Sequence, residues 1–251
     1  MGDGTRRIAM WSGPRNLSTA LMRSFGNRAD CSVVDEPLYA AYLHETGLDH
    51  PGRTAVLASQ PTDWRVVVRD LTSGPVATPV QYQKHMTHHL LPGIDREALD
   101  GLQHAFLVRD PERVLVSYAK VRDEPTLDDL GLPQQVELFE RYGGPVVDAA
   151  DILADPRGTL TALCEALGLP FDGAMLSWPA GPRDTDGVWA PHWYAGVEAS
   201  TGFATRSPGS ADPLPDRLQP LLERCRSYAE ALAPYVLRPV PPSSQPAPKE
   251  A

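Results

Sequence analysis

The stretch Ile8–Leu21, which reads IAMWSGPRNLSTAL, decides the fold predicted for this chain. Its first four residues form an apolar run typical of a buried strand, and the next three, SGP, predict a tight turn. Apolar residues then recur at helical spacing as far as Phe25, which predicts a helix opening near Asn16 or Leu17. A strand, a turn and a helix in this order direct unpaired backbone N–H groups and the helix dipole at one point. The stretch therefore predicts an anion site.

Three polar side chains accompany this turn. Arg15 adds a fixed positive charge, and Ser18 and Thr19 add hydroxyl groups in the first helical turn. The turn lacks the second glycine and the Gly-Lys pair of the Walker A pattern, which disfavours a nucleoside triphosphate but not a phosphate or sulfate group. Taken alone, the stretch is equally consistent with an ordinary turn whose arginine is solvated.

Composition indicates one α/β domain with a sizeable core, in a chain of 251 residues that is 42% hydrophobic and 22% charged. A net charge of −9 argues against nucleic acid or an anionic membrane as partner, and no apolar run is long enough to span a bilayer. The N-terminus lacks a signal-peptide core, and the three cysteines fit no metal spacing, which favours reduced thiols in a cytoplasmic protein. The domain is predicted over residues 1–238, before a Pro-rich disordered tail over residues 239–251. The sequence does not indicate an oligomeric state.

The remaining chain alternates between strand and helix signals. Further strands are predicted at Cys31–Val34, Trp64–Val68, Val80–Met86, His104–Val108 and Pro145–Leu153, within otherwise turn-rich sequence over residues 44–79. Helices are predicted after Asp110, around Leu160–Leu167 and over about Pro215–Tyr235, with a long loop rich in Trp, Pro and Gly over residues 177–209.

Two groups of titratable residues follow predicted strands. Glu36 stands at the mouth of the second strand, where α/β sheets place ligands, although a solvated acid fits the pattern too. His85, His88 and His89 lie within five positions beside Lys84. A histidine at a strand end is a candidate general base, and a solvated cluster is as consistent with the sequence. A metal site is disfavoured because cysteine or carboxylate partners are missing nearby.

A second cationic turn follows the strand His104–Val108. Asp110 is a favourable N-cap and Pro111 suits the first helical position, so a helix starts here. Arg109 therefore stands at the strand's carboxyl end, with Ser117 about two turns into the helix. Together they can hold a phosphate, unless the arginine pairs with a neighbouring acid.

Three separated blocks resemble the P-loop-like sulfotransferases that use 3′-phosphoadenosine 5′-phosphosulfate, in that family's chain order. The turn after Ser12 is similar to their 5′-phosphosulfate loop Y-P-K-S-G-T-T, and Phe106–Pro111 with Ser117 resembles their 3′-phosphate motif. Lys84–Pro92 is similar to their K-T-H…L-L-P segment, and Ser200–Arg206 stands where they have a glycine-containing cofactor loop. The resemblance covers about residues 5–235 and is strongest to a bacterial sulfotransferase-like subgroup. The cofactor-binding residues that it implies are Gly13, Pro14, Arg15, Asn16, Leu17, Ser18, Thr19, Arg109, Ser117, Ser200, Thr201, Gly202 and Phe203.

The resemblance implies a P-loop-like sulfotransferase fold, with a mostly parallel sheet flanked by helices, and in-line sulfuryl transfer to a hydroxyl or amine of a small-molecule acceptor, without a metal. The implied catalytic residues are Arg15, Lys84, His85, His88 and Glu36. Two departures from the family's pattern matter. An arginine replaces its lysine, and a guanidinium is a poor proton donor, so Arg15 is assigned an electrostatic role. The family's histidine is replaced by Met86, and His88 and His85 together are then the preferred candidates for the base, with Glu36 third.

Aromatic residues are candidate walls for the acceptor site: Trp11, Tyr39, Tyr42 and the tryptophans of residues 177–209. Two other functions stay open from the sequence. The chain could be a non-catalytic adenosine-bisphosphate-binding protein. A nucleotide-dependent phosphotransferase is less favoured, because the Gly-Lys phosphate loop is absent.

Overall fold

A parallel β-sheet of five strands forms the centre of the computed structural model, which describes residues 4–122, 124–203 and 213–239. The strands are β1 (Arg6–Ser12), β2 (Cys31–Asp35), β3 (Val80–Met86), β4 (Gln103–Val108) and β5 (Val146–Asp148). Their order across the sheet is β2-β3-β1-β4-β5, and all four pairings are parallel. The predicted α/β class is confirmed, with β1 in the middle of the sheet.

Twelve α-helices lie in the described ranges. They are α1 (Ser18–Gly26), α2 (Tyr39–Thr46), α3 (Arg53–Ser59), α4 (Trp64–Ser73), α5 (Pro111–Tyr118), α6 (Leu127–Leu130), α7 (Leu132–Tyr142), α8 (Ala149–Ala154), α9 (Pro156–Ala166), α10 (Ala190–Trp193), α11 (Ala195–Glu198) and α12 (Gln219–Leu232). No helix of these ranges has the length and hydropathy to cross a membrane.

Strand β1 contributes to both hydrophobic layers because successive side chains of a strand point to opposite faces. Ile8 and Met10 pack in one buried cluster with side chains of α1 and α9. Ala9 and Trp11 pack in another with side chains of α4 and α7. Helices therefore cover both faces of the sheet, and the predicted buried strand is confirmed.

The predicted strand Trp64–Val68 is wrong. These residues open helix α4, where Asp63 is the N-cap and its carboxylate accepts a hydrogen bond from the Arg65 N–H. The β-branched run suggested a strand, but Val67, Val68 and Leu71 lie on one helical face and pack against the sheet. Packing of that face outweighs the local strand preference. Together with α3, this helix also replaces much of the turn-rich structure expected over residues 44–79.

Two other boundaries differ from prediction. The strand expected over Pro145–Leu153 is limited to β5, because Asp148 caps α8 by accepting a hydrogen bond from the Ala150 N–H. The loop expected over residues 177–209 contains the short helices α10 and α11. The predicted final helix is confirmed as α12 with a 3₁₀ turn at each end. Apart from residue 239, the predicted tail lies outside the described residues.

Parallel pairing places the carboxyl ends of all five strands along one edge of the sheet. The residues that follow β1, β2, β3 and β4 therefore share this edge, where open α/β sheets bind their ligands. These are the segments in which the sequence placed the candidate catalytic and cofactor-binding groups.

Candidate active site

The turn between β1 and α1, residues 13–17, has a strained backbone. Arg15 and Leu17 have φ angles of 59° and 64°, in the left-handed region that side chains disfavour. Leu17 is also the N-cap of α1, and it provides no side-chain hydrogen bond to the helix. The first N–H groups of α1 therefore lack a side-chain cap, in the arrangement that binds anions at helix N-termini.

Gly13 allows this turn to lie close to another segment of the chain. A Cβ atom at this position would lie 2.7 Å from the carbonyl oxygen of Leu130, just before α7. Asn16 ties the turn to β4, since its Nδ2 donates a hydrogen bond to the Leu107 carbonyl oxygen at 2.7 Å. Within the turn, Arg15 is the one exposed residue. The packed turn thus presents a single cation to solvent.

The two predicted cationic turns meet. Arg109 Nη1 donates a hydrogen bond to the carbonyl oxygen of Arg15 at 2.7 Å, although the residues are 94 positions apart. Arg15 Nε donates to Ser117 Oγ at 3.0 Å. The structure therefore brings Arg15, Arg109 and Ser117 together at the carboxyl edge of β1 and β4.

Positive charge is concentrated at this junction. Burial lowers the pKa of the Arg109 guanidinium, and the like charges of Arg113 and Arg15 lower it further. Among the described residues, no carboxylate lies within 4.0 Å of a side-chain nitrogen of Arg15 or Arg109. The junction can therefore accept anionic groups without displacing an ion pair.

A second group of charged residues is buried at the ends of β2 and β3. Lys84 Nζ lies 2.9 Å from Asp35 Oδ1, 2.5 Å from Glu36 Oε1 and 2.7 Å from the Tyr194 hydroxyl. The side chains of Lys84 and Asp35 are 1% and 2% exposed, whereas Glu36 is 11% exposed. Glu36 is thus the least buried member of this ion-paired trio.

The charges of this group perturb one another. Burial raises the pKa of Glu36, an effect that Lys84 opposes and the Asp35 charge reinforces. Burial alone would lower the pKa of Lys84, but Asp35 and Glu36 raise it well above its usual value. Two carboxylates therefore share one ammonium, and Glu36 is held as a base with a higher affinity for a proton than a solvated carboxylate.

The histidines do not join this group. His85 is buried against Trp11, with ring centroids 4.3 Å apart, and its Nε2 pairs with Gln83 Oε1 at 3.1 Å. Burial lowers the pKa of His85 and of His88 to about 3 in each case. Both rings are therefore neutral and weakly basic near neutral pH.

His88 and His89 pack instead in an aromatic cluster beside α2. The His88 ring lies 5.4 Å from that of Tyr42, and the His89 ring stacks on that of Tyr39 at 4.6 Å. Tyr39 and Tyr42 thus pack in one cluster with Trp189 and Trp193. Trp178 packs against Phe203 instead, and Trp11 lies in the core on another layer. Over the described ranges, no group of three or more His, Cys, Asp and Glu is arranged to hold a metal ion.

The residues expected in the glycine-containing cofactor loop lie elsewhere. Ser200 Oγ accepts from Trp178 Nε1 at 3.2 Å, and Gly202 forms an isolated bridge with Ser177. The Ser177 carbonyl oxygen accepts from Asn27, just after the end of α1. Ser200–Phe203 is therefore near the C-terminal end of that nine-residue helix, about 13 Å along it from the Arg15 turn. Residues 204–206 of the expected loop lie outside the described residues.

Sequence reasoning missed the contributions of Tyr194 and Asp186. Tyr194 contacts Lys84 from 110 positions away, and Asp186 pairs with Arg23 from 163 positions away. Both belong to the tryptophan-rich segment, whose length was the available signal that it carries function. The pairing partners could not be read from local patterns.

Comparison with known proteins identifies relatives of the whole chain. A family model described as a sulfotransferase domain matches residues 6–233. A protein of Arabidopsis thaliana named branched-chain-amino-acid aminotransferase-like protein 1 is 40% identical over 255 residues. That alignment covers 97% of this chain and 46% of the plant protein. The chain thus spans less than half the length of the curated relatives it matches.

Solved structures are similar at the level of the fold. The sulfotransferase domain from the curacin biosynthetic pathway has a TM-score of 0.55 and 17% identity, covering 90% of this chain and 98% of that domain. A sulfotransferase from Alicyclobacillus acidocaldarius has a TM-score of 0.53 and 12% identity, covering 92% of this chain and 97% of that one. Both share the architecture described above.

Proposed function

The chain belongs to the sulfotransferase-domain family, and on that premise we propose that it transfers a sulfuryl group from 3′-phosphoadenosine 5′-phosphosulfate to a small-molecule hydroxyl or amine. The observation that carries this proposal is the junction of the two cationic turns, where Arg109 donates to the backbone of Arg15. A donor with phosphate groups at two positions needs cations at two positions. The junction supplies both within one edge of the sheet.

The donor's 5′-phosphosulfate is assigned to the turn after β1. The uncapped N–H groups of α1, the exposed Arg15 and the hydroxyls of Ser18 and Thr19 are suited to bind it. The 3′-phosphate is assigned to Arg109 and Ser117. Because Ser117 already contacts Arg15, the two ends of the donor would be held by side chains that touch each other.

Transfer proceeds by in-line displacement at sulfur. The acceptor loses a proton to the base, and its oxygen or nitrogen forms a bond to sulfur while the bond between sulfur and the bridging oxygen breaks. The electron pair of that bond stays on the 5′-phosphate of the departing adenosine 3′,5′-bisphosphate. Arg15 stabilises this charge electrostatically, so the protein supplies mainly positioning and a preorganised cation.

Glu36 is the base that the geometry favours. Its carboxylate is the least buried of the ionised groups among Lys84, Asp35, Glu36 and Tyr194, which we call the Lys84 group, and burial raises its pKa. A base whose pKa lies closer to the working pH accepts a proton more readily from the acceptor. His88 is the second candidate, weakened because burial lowers its pKa to about 3.

The test is donor consumption by the purified chain. Sulfur-labelled donor is supplied with phenol, sugar, nucleoside, pterin and peptide acceptors, and label transfer and adenosine 3′,5′-bisphosphate release are measured. Arg15→Ala is expected to lower the rate about 10²- to 10³-fold. Arg65→Ala on α4 removes a cation whose side chain is 70% exposed and serves as the matched control.

The outcomes separate the candidate functions. Release of the bisphosphate by the wild-type chain, lost in Arg15→Ala, supports sulfuryl transfer. Tight binding of the donor without consumption indicates a non-catalytic adenosine-bisphosphate-binding protein. If the chain neither binds nor consumes the donor, both candidate functions are contradicted.

A further inference from the structure

A segment before α11 is fixed to the carboxyl edge of the sheet by buried polar contacts, and residues 186–194 are called the strap here. Asp186 accepts a hydrogen bond from Arg23 Nη2 of α1 at 2.6 Å, with side chains that are 4% and 3% exposed. The next N–H, that of Gly187, donates to Asp35 Oδ2 at 3.0 Å. One end of the strap is thereby joined both to α1, the helix that follows the turn of residues 13–17, and to the Lys84 group.

At the other end of the strap, the hydroxyl of Tyr194 has every hydrogen-bonding site in use. Lys84 Nζ and Trp189 Nε1 donate to its oxygen at 2.7 Å and 3.1 Å. A phenol has two lone pairs and one proton, so these donors fill the oxygen's acceptor sites. Its proton is then directed at Asp35, whose Oδ2 lies 2.7 Å away, while Glu36 Oε1 is more distant, at 3.4 Å.

This geometry decides how one ammonium is shared between two carboxylates. Asp35 accepts hydrogen bonds from Tyr194 and Gly187 as well as from Lys84, so its charge is stabilised by more than the ammonium. Lys84 is then free to remain close to Glu36, at 2.5 Å. Without the tyrosine hydroxyl, Asp35 would compete harder for Lys84, and Glu36 would be protonated more easily.

We propose that Tyr194 is a positioning residue for acceptor deprotonation, which acts through Asp35 and Lys84 to keep the Glu36 carboxylate ionised. The proposal rests on the proposed function, with Glu36 as base. Besides these three residues, Tyr39 of α2 also faces Glu36, and it stays neutral because burial raises its pKa.

The experiment compares pH profiles of donor hydrolysis, with water as the acceptor because water does not titrate between pH 5 and pH 9. In Tyr194→Phe, the acid limb of kcat is expected to move up by about half a pH unit to one unit. At pH values on the acid limb the rate then falls by roughly three- to tenfold, while the rate on the alkaline plateau stays close to wild type. The calorimetric Kd for adenosine 3′,5′-bisphosphate is expected to be unchanged.

Two further variants make the test specific. Tyr142→Phe is the control. It removes a hydroxyl of a half-buried residue that donates to the Arg96 carbonyl oxygen in another region, and the pH profile of donor hydrolysis is expected to stay unchanged. Trp189→Phe removes one donor to the Tyr194 hydroxyl, and a smaller shift in the same direction is expected because chained hydrogen bonds reinforce one another.

The outcomes distinguish the possible failures. If Tyr194→Phe binds the bisphosphate but lowers the rate equally at every pH, the hydroxyl is structural and the proposal is overturned. If Tyr194→Phe does not fold, the Trp189→Phe profile decides, and an unshifted acid limb overturns the proposal. A wild-type chain that consumes no donor overturns the proposed function, and this inference with it.

Discussion

Arg109→Ala removes the guanidinium that we assign to the donor's 3′-phosphate. In the structure this group is partly buried, donates to the Arg15 carbonyl oxygen at 2.7 Å and is not ion-paired within the described residues. One charge-assisted hydrogen bond contributes about 1.5–3 kcal/mol, and partial solvent exposure favours the lower half of that range. The variant is therefore expected to bind adenosine 3′,5′-bisphosphate about 10- to 40-fold more weakly.

Calorimetry with two ligands isolates this contact. Adenosine 5′-monophosphate lacks the 3′-phosphate, so Arg109→Ala is expected to change its Kd by less than about twofold. Arg113→Ala serves as the control, because it removes an exposed cation near Arg109, in the first turn of α5, that makes no hydrogen bond to Arg15. Its effect on either ligand is expected to stay below about threefold and to fade at high salt.

Equal losses for the two ligands would refute the assignment. They would mean that Arg109 acts by holding the Arg15 backbone rather than by binding the 3′-phosphate. No loss for either ligand would show that Arg109 does not bind the 3′-phosphate.

Three further perturbations test the turn, the base and the histidines. Gly13→Ala places a Cβ 2.7 Å from a main-chain oxygen, and urea unfolding is expected to show a loss of about 1–3 kcal/mol. Gly93→Ala, with nothing within 4 Å, should show much less. Glu36→Gln is expected to slow donor hydrolysis about 10²- to 10⁴-fold without changing product affinity, and an unchanged rate would exclude it as base. In the folded chain the pKa values of His85 and His88 are about 3, against 6.5 for a free ring. At pH values between about 3 and 6.5 the unfolded chain therefore binds more protons than the folded chain. Urea unfolding should therefore show stability falling by about 2 kcal/mol per ring from pH 7 to pH 5, and His85→Gln should remove one ring's share.

The sequence was sufficient for the parts of the site that depend on strand ends. Arg15 and Arg109 each follow an apolar run, and parallel pairing brings the carboxyl ends of such runs to one edge. Their meeting therefore follows from β1 and β4 being neighbours. The strand predicted at Trp64–Val68 failed because β-branched residues fit a strand locally, while the position of Asp63 as a cap and the packing face of α4 depend on the assembled core.

The sequence identified some members of the Lys84 group but not the way in which they pair. Glu36 was identified as a candidate from its position at a strand end, and Lys84 from the family resemblance. Nothing local predicts that Lys84 pairs with Glu36 rather than with a donor. Tyr194 reaches the group by way of a long segment whose path depends on a buried pair, Arg23 and Asp186. Contacts of this kind are set by tertiary packing and leave no periodic signal.

A crystal structure with adenosine 3′,5′-bisphosphate tests most directly whether the two cationic turns hold one donor. The 5′-phosphate is expected on the N–H groups at the start of α1 beside Arg15, with the 3′-phosphate in hydrogen-bonding distance of Arg109. A ligand bound elsewhere, with both guanidinium groups facing solvent, would contradict the account.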